Sequence, residues 1–397
     1  MMISENRRSK AHFDIILCLL TYVLAVFGVL AVTMATYSVK SNPDNALLNH
    51  IVESVHGSRQ AIFLLISPII IGVIVSVRYE SLRLLSRLIY YFGIFLLFLV
   101  LVTSQVRGVK AWMDVIWGFT IQPSEFAKLC MIMLLARILA KNDEPMSTMR
   151  EFLSIMSILL LPAVFIVLQG ELGSLMVMIF IFAVMLYFGG VKLKILMGMG
   201  GTAALLVLAV YGVAVASGSD SYRIQRILSF FNPEIYSSTD AYQAMQSKIA
   251  IGSGGLQGIG MFVSGSMSQL DYVPEDWTDF IFSTIGESFG FIGCAAILLV
   301  YLLIILRMLY LARFTKDKFG QLIIIGVMSM LLFHVFENVA MTIGLMPITG
   351  IPLPFLSYGG SNMVTNMAGI GLVLNVVKNR SLSLPVYTPQ LGINKYR

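Results

Sequence analysis

Long apolar runs with few charges recur along this chain, and they constrain its fold more than any other feature. A hydrocarbon core about 30 Å thick is crossed by roughly 20 residues of helix. By that measure ten stretches qualify: 13–37, 60–77, 88–105, 123–140, 152–169, 172–188, 195–216, 280–305, 320–345 and 361–377. Several are short or contain Gly and Pro, which is tolerated where neighbouring helices satisfy the backbone. Of 397 residues only 12% are charged and 57% are hydrophobic, with a mean hydropathy of +0.85. A soluble domain carries about twice that charge. The expected fold class is therefore all-α and polytopic, one continuous membrane domain over 1–397 rather than a string of soluble domains.

Lys and Arg placement orients the bundle. With the N-terminus in the cytoplasm, nineteen basic residues fall on inner segments and seven on outer ones, so both termini are expected inside. Arg7, Arg8 and Lys10 precede the first run. That run is longer than a signal-peptide core and lacks a small-x-small cleavage site, so it is expected to be retained as a first span. Cys18, Cys130 and Cys294 all lie in apolar runs and read as packing residues. One connection dwarfs the others, the outer loop from about 217 to 279, between the seventh and eighth spans. It is rich in glycine (Gly252, Gly254, Gly255, Gly258, Gly260, Gly265) yet also in Tyr, Phe, Ile, Leu and Met. Short amphipathic helices at the outer face are expected there.

Ionisable groups within spans are costly and are functional candidates by default. Glu125 and Lys128 stand three apart in Gln122-Pro-Ser-Glu-Phe-Ala-Lys128, on one helical face and close enough to pair. Such a pair serves either chemistry or helix packing. Pro123 suits a helix start. Glu171 either faces an outer cavity or sits at a solvated hairpin tip. His334 and Glu337 share a face and can pair, but without further ligands they do not make a metal site. Gly252-Ser-Gly-Gly-Leu-Gln-Gly258 is superficially like a dinucleotide loop, but no strand precedes it and no βαβ unit surrounds it, so a nucleotide site is rejected. Pro274-Glu-Asp-Trp-Thr-Asp279 places three carboxylates where the large loop re-enters the bilayer. Asp279 immediately precedes an apolar helix. It is either that helix's N-cap or a partly desolvated general base.

Several motifs, in order along nearly the whole chain, resemble those of the SEDS family (shape, elongation, division and sporulation). They are Gln122-Pro-Ser-Glu-Phe-Ala-Lys128, the loop entry from Arg223 to Pro233, Gly252-Ser-Gly-Gly255, Pro274-Glu-Asp-Trp-Thr-Asp-Phe-Ile-Phe282 with Gly286-Glu287, and the run from Met346 to Ser361. Thr349-Gly-Ile-Pro-Leu-Pro354 and Phe231-Asn-Pro233 look more like the elongation branch, RodA, than the division branch, FtsW, with the sporulation branch kept as an alternative. Departures occur at Ala111, Gly170-Glu171, Trp277, Ser288 and Asn362, which marks a divergent member.

The resemblance implies a glycosyltransferase that polymerises lipid II at the outer membrane face. Asp279 would be the base, and Lys128, Lys110, Arg223, Arg226 and Lys248 would be cations for the pyrophosphate leaving group. Glu125 would orient Lys128, and Glu275 and Ser357-Tyr358-Gly359-Gly360-Ser361 would support the site. It further implies a class B penicillin-binding protein as partner and, as an option, a divalent cation (Mg or Mn) on the pyrophosphate. The competing readings are a flippase for the lipid-linked precursor and a scaffold without chemistry.

Overall fold

The computed structural model describes residues 13–36, 46–102, 111–116, 119–142, 144–202 and 239–379. Its elements are α1 (Ile15–Ala35), α2 (Leu47–Glu53), α3 (Val55–Ser76), α4 (Tyr79–Val102), β1 (Met113–Ile116), β2 (Phe119–Ile121), α5 (Pro123–Leu139), α6 (Met149–Gln169), α7 (Leu172–Gly189), α8 (Thr239–Ser253), α9 (Ile281–Arg313), α10 (Lys318–Thr342) and α11 (Gly360–Asn379). Residues 193–202 are also helical.

Seven helices are long and apolar enough to cross a membrane: α1, α3, α4, α6, α7, α9 and α10. The chain is thus a multi-pass membrane protein. Helices also form at 123–139 and 360–379, two of the remaining expected spans, but they are not among those seven. Most of the expected span 195–216 lies outside the described residues. α3 and α4 each begin earlier than hydropathy suggested, at Val55 and Tyr79, and α9 runs on to Arg313, beyond the expected 305. For α3 the reason is capping rather than apolarity. Ser54 accepts from Gly57 N at 2.9 Å and so starts α3 ahead of its apolar run.

Helix ends are signalled locally. Asp14 caps α1 by accepting from Leu17 N at 2.9 Å, and Asp317 caps α10 by accepting from Gly320 N at 3.1 Å. Pro123 takes the first turn of α5, where its missing N–H costs nothing. Asp14 also pairs with Arg307 at 2.7 Å, tying the start of α1 to the last turns of α9 at one end of the bundle. The three cysteines are free; Cys130 and Cys294 are buried, as expected of packing residues. A two-stranded antiparallel hairpin, β1 against β2, leads into α5. Nothing in the hydropathy pattern anticipated it, because strands this short carry too few alternations to register.

Two irregular segments have their backbone covered by other parts of the chain, the condition under which non-helical backbone survives at membrane depth. One is the break in α9 at Gly290, which has φ 63 and ψ −161. The helical hydrogen bonds lost there are replaced by the glycine-rich loop after α8. Ile259 N and Gly260 N donate to the Glu287 and Ser288 carbonyls at 3.0 and 3.1 Å. Phe291 N and Ile292 N donate to the Gly255 and Leu256 carbonyls at 2.9 and 3.1 Å. The exchange needs backbone against backbone. A Cβ on Gly258 would lie 2.2 Å from the Ser288 carbonyl oxygen. The glycines that superficially suggested a nucleotide loop therefore close a helix break. Gly258→Ala, at φ +81, is expected to cost about 3 kcal/mol or more. The readout is loss of monodisperse protein on size exclusion in detergent.

The second is the 346–359 loop between α10 and α11. Leu353, Phe355 and Leu356 are fully buried, and the Phe355 carbonyl packs so tightly on α1 that a Cβ on Gly28 would meet it at 2.2 Å. Of the large outer loop, residues up to 238 lie outside the described set. The remainder supplies one fifteen-residue helix, α8, packed along α9 and the end of α10.

Candidate active site

The motifs singled out in the sequence meet at the bundle end opposite the Asp14–Arg307 pair. Gln122 N donates to Ser361 Oγ at 2.9 Å, and Ser361 Oγ donates to the Thr120 carbonyl at 3.2 Å. The start of α5 is thereby joined to the start of α11. The 346–359 loop is sewn to the 274–279 segment in turn. Ser357 Oγ donates to the Thr278 carbonyl at 2.6 Å and accepts from Leu353 N at 2.8 Å, while Tyr358 N donates to the Trp277 carbonyl at 2.9 Å. Gln60 on α3 reads both sides of Tyr358, donating to the Ser357 carbonyl at 3.1 Å and accepting from Gly359 N at 3.4 Å. Trp277, one of the departures, stacks on His56 with centroids 5.4 Å apart, and His56 meets the edge of Tyr358.

Asp279 is half-buried and is not the cap of α9. The N-cap is Phe280, and no side chain completes it. The Asp279 carboxylate instead lies over Gly350, where an added Cβ would stand 3.3 Å from Oδ2. The backbone carbonyl of Asp279 accepts from Asn338 Nδ2 at 2.7 Å, and the same amide donates to the Ile351 carbonyl at 2.8 Å. The three carboxylates of 275–279 point apart. Glu275, at φ 58, accepts from its own turn through Thr278 Oγ1 at 3.1 Å. Asp276 turns inward to Thr284. Among the described residues no group of three or more His, Cys, Asp or Glu side chains is placed to hold a metal ion.

Asp276 is fully buried beside Glu287, which accepts from Met267 N, Ser268 N and Ser268 Oγ at 2.6, 3.2 and 3.0 Å. Burial, reinforced by Asp271 and Glu287 and opposed by hydrogen bonds from Ser268 and Thr284, holds the Asp276 carboxyl well above the usual carboxylate range. A raised folded-state value means the folded protein keeps a proton that the unfolded chain releases above about pH 4. Stability is therefore lost as pH rises through that window. Asp276→Asn should match the parent near pH 4 and exceed it increasingly towards neutrality. Thermal unfolding in detergent from about pH 4 to pH 8 checks this.

Glu125 and Lys128 pair as the spacing indicated, at 2.7 Å and almost wholly buried. The lysine also donates to His334 Nε2 at 2.9 Å, while His334 Nδ1 donates to the Met330 carbonyl at 2.8 Å. His334 and Glu337 do not pair: Glu337 instead accepts from Thr349 Oγ1 at 2.9 Å. They share a helix face, but each reaches a different neighbour, α5 in one case and the 346–359 loop in the other. Glu171 is not a solvated tip either. It accepts from Gln122 Nε2, and burial raises its pKa despite hydrogen bonds from Ser124 and Gln122. Lys248 is exposed on α8, beside Gly344. Lys110, Arg223 and Arg226 lie outside the described residues. Asn338 and Gln60, which tie the site together, escaped a search for charges. A lone carboxamide in an apolar run was the available signal.

Comparisons with known proteins point to one family. The family model for the FtsW, RodA and SpoVE cell cycle proteins matches residues 14–382. Stage V sporulation protein E of Bacillus subtilis is 33% identical over 92% of this chain and 97% of its own length. The probable peptidoglycan glycosyltransferase FtsW of Geobacter sp. (strain M18) is 32% identical over 93% and 98%. The peptidoglycan glycosyltransferase MrdB of Escherichia coli K12 is 33% identical over 70% and 73%. A chain from a peptidoglycan synthase complex described as coordinating polymerization and crosslinking superposes with a TM-score of 0.74 at 26% identity, covering 93% of this chain and 98% of that one. The rod shape determining protein RodA of Thermus thermophilus superposes at 0.66 with 25% identity, covering 93% and 97%. Fold and motifs define a membrane-embedded protein of the SEDS class. The chain belongs to the FtsW, RodA and SpoVE family.

Proposed function

We propose that this chain polymerises lipid II into glycan strands at the outer face of the cytoplasmic membrane. It is a peptidoglycan glycosyltransferase, as its relatives are named, and Asp279 is the residue on which the mechanism turns. The observation that carries the reading is the position of the Asp279 carboxylate. It lies over Gly350, at the junction of the 274–279 segment and the 346–359 loop, without serving as a helix cap.

In this reading the acceptor sugar hydroxyl gives its proton to Asp279 as its oxygen bonds to the donor's anomeric carbon. The bond from that carbon to the polyprenyl pyrophosphate breaks, and the pyrophosphate leaves with the electron pair. Cations near the outer face, drawn from Lys110, Arg223, Arg226, Lys248 and Lys128, stabilise that departing charge, with Glu125 holding Lys128. Glu275 and the Ser357–Ser361 run shape the wall around Asp279. A divalent cation, magnesium or manganese, travelling with the pyrophosphate belongs to the same proposal, but the described carboxylates form no set for it and no step depends on it.

The surrounding framework is part of the proposal. Ten spans in a single domain over 1–397, both termini cytoplasmic and a large outer loop over about 217–279 put this end of the bundle outside, in keeping with the Lys and Arg bias. Thr349-Gly-Ile-Pro-Leu-Pro354 favours the elongation role over division, with the sporulation role as the alternative. A class B penicillin-binding protein is the proposed partner, since a similar chain works in a complex that joins polymerization to crosslinking.

A second reading, transbilayer movement of the precursor, draws on the buried Glu125–Lys128–His334 group. Purified protein given labelled lipid II, with and without the transpeptidase, separates the two. Glycan strands from the parent support the polymerase, whereas movement of lipid II from the inner to the outer leaflet of proteoliposomes without polymer would replace it with the flippase.

A further inference from the structure

Asn338 and its neighbour Glu337 hold the loop on which Asp279 rests. They sit in the second-last turn of α10, both fully buried. Glu337 accepts from Thr349 Oγ1 at 2.9 Å, and Asn338 donates to the Ile351 carbonyl at 2.8 Å. The two contacts bracket Gly350, the residue under the Asp279 carboxylate. The second hydrogen of the same Asn338 amide is spent on the Asp279 carbonyl at 2.7 Å. One NH₂ group therefore fixes the backbone of the candidate base and the backbone of the loop it packs against.

We infer that Asn338 is a positioning residue that sets the Asp279 carboxylate against Gly350 by donating to both backbone carbonyls. The inference rests on the reading of Asp279 as the base. Both carbonyls belong to non-helical segments, and the Asn338 amide ties one to the other. Two carbonyl oxygens brought to one point repel each other unless a donor stands between them, and a carboxamide presents two hydrogens in one plane for the purpose. A carboxylate at this position has no hydrogen to give when ionised, and an alanine removes the donor from both carbonyls.

The prediction is a fall in kcat without a change in KM for lipid II. A displacement of the order of 1 Å at the reacting group costs about a hundredfold, and Asn338→Asp is expected to show a loss of that size in kcat. Asn338→Ser keeps one donor and buries no charge, and it serves if the aspartate variant does not fold. A purely structural role would instead lower the melting temperature and reduce kcat only in step with the folded fraction, which would overturn the inference.

A second readout does not depend on polymerisation. In a Cys18→Ser background, Asp279→Cys is labelled with a maleimide, with and without Asn338→Ser. A severalfold change in labelling rate supports the clamp, and an unchanged rate rejects it. If the parent makes no polymer, the polymerase reading fails while the labelling experiment still decides whether Asn338 positions residue 279. If the parent polymerises, Asp279→Ala does not, and the Asn338 variants match the parent, the inference alone fails.

Discussion

Asp279→Asn is expected to lower the rate of lipid II polymerisation by a factor of about 10²–10⁴, the usual contribution of a positioned general base, while leaving thermal stability close to the parent's. The second half of the statement is what makes the experiment decisive. An aspartate just before a long apolar helix is ordinarily its cap, and replacing a cap costs about 1 kcal/mol. Here the cap position falls on Phe280 and no side chain fills it. The Asp279 carbonyl accepts from Asn338 Nδ2, a contact that asparagine retains. The substitution preserves shape and removes the proton acceptor. Glycan length and rate on labelled lipid II, read beside a melting curve in detergent, give both quantities. A folded Asp279→Asn protein that polymerises like the parent would sink the assignment.

Lys128→Met should be among the most destabilising single substitutions in the protein, by about 3–5 kcal/mol. Glu125 and Lys128 are almost wholly buried, and His334 is fully so. The lysine supplies hydrogen bonds to both partners, at 2.7 and 2.9 Å. Methionine fills similar volume but leaves a buried carboxylate without its cation and an imidazole nitrogen without its donor. Most of the penalty comes from the orphaned charge rather than from the worth of the pair, because burying two ions already costs much of what their attraction returns. The double variant Glu125→Gln/Lys128→Met should therefore recover most of the loss. Thermal unfolding of the parent, the single and the double variant in one detergent tests the cycle. Equal destabilisation of single and double variants would show that an unpaired charge is not the cause.

The same group bears on how the two candidate roles of Lys128 divide. With Glu125 and His334 already satisfied by its ammonium, the lysine's immediate work is to lock α5 to α10. Any effect of Lys128→Met on turnover should be compared with its effect on folded yield before a role at the pyrophosphate is assigned. Lys248, by contrast, is exposed on α8, with its side chain beside Gly344.

Much of the molecule was legible in the sequence because membranes impose a strong one-dimensional rule. A helix must run about 20 apolar residues before its backbone can leave the lipid, so the existence of most spans follows from hydropathy. The i, i+3 spacing of Glu125 and Lys128 likewise predicted their pairing, since helix geometry alone brings such residues together. Pro123 at the start of α5 and the burial of Cys130 and Cys294 were readable for similarly local reasons.

The tertiary structure decided what depends on segments distant in the chain. No local rule says that Lys128 reaches His334, that Glu337 turns to Thr349 instead of to His334, or that Asp276 faces inward while Asp279 faces Gly350. No local rule says that Gly254 and Gly258 give their space to the broken backbone of α9. Helical and strand periodicities report only which residues share a face. Which face meets which is set by packing among helices whose apolar surfaces are nearly interchangeable in a bilayer, where close approach and buried hydrogen bonds, rather than hydrophobicity, choose the partners. Sequence alone therefore determined a polytopic helical membrane protein with its polar residues in identifiable motifs. The arrangement of those motifs around Asp279 was determined by the carbonyls, amides and glycines that let irregular backbone be buried there.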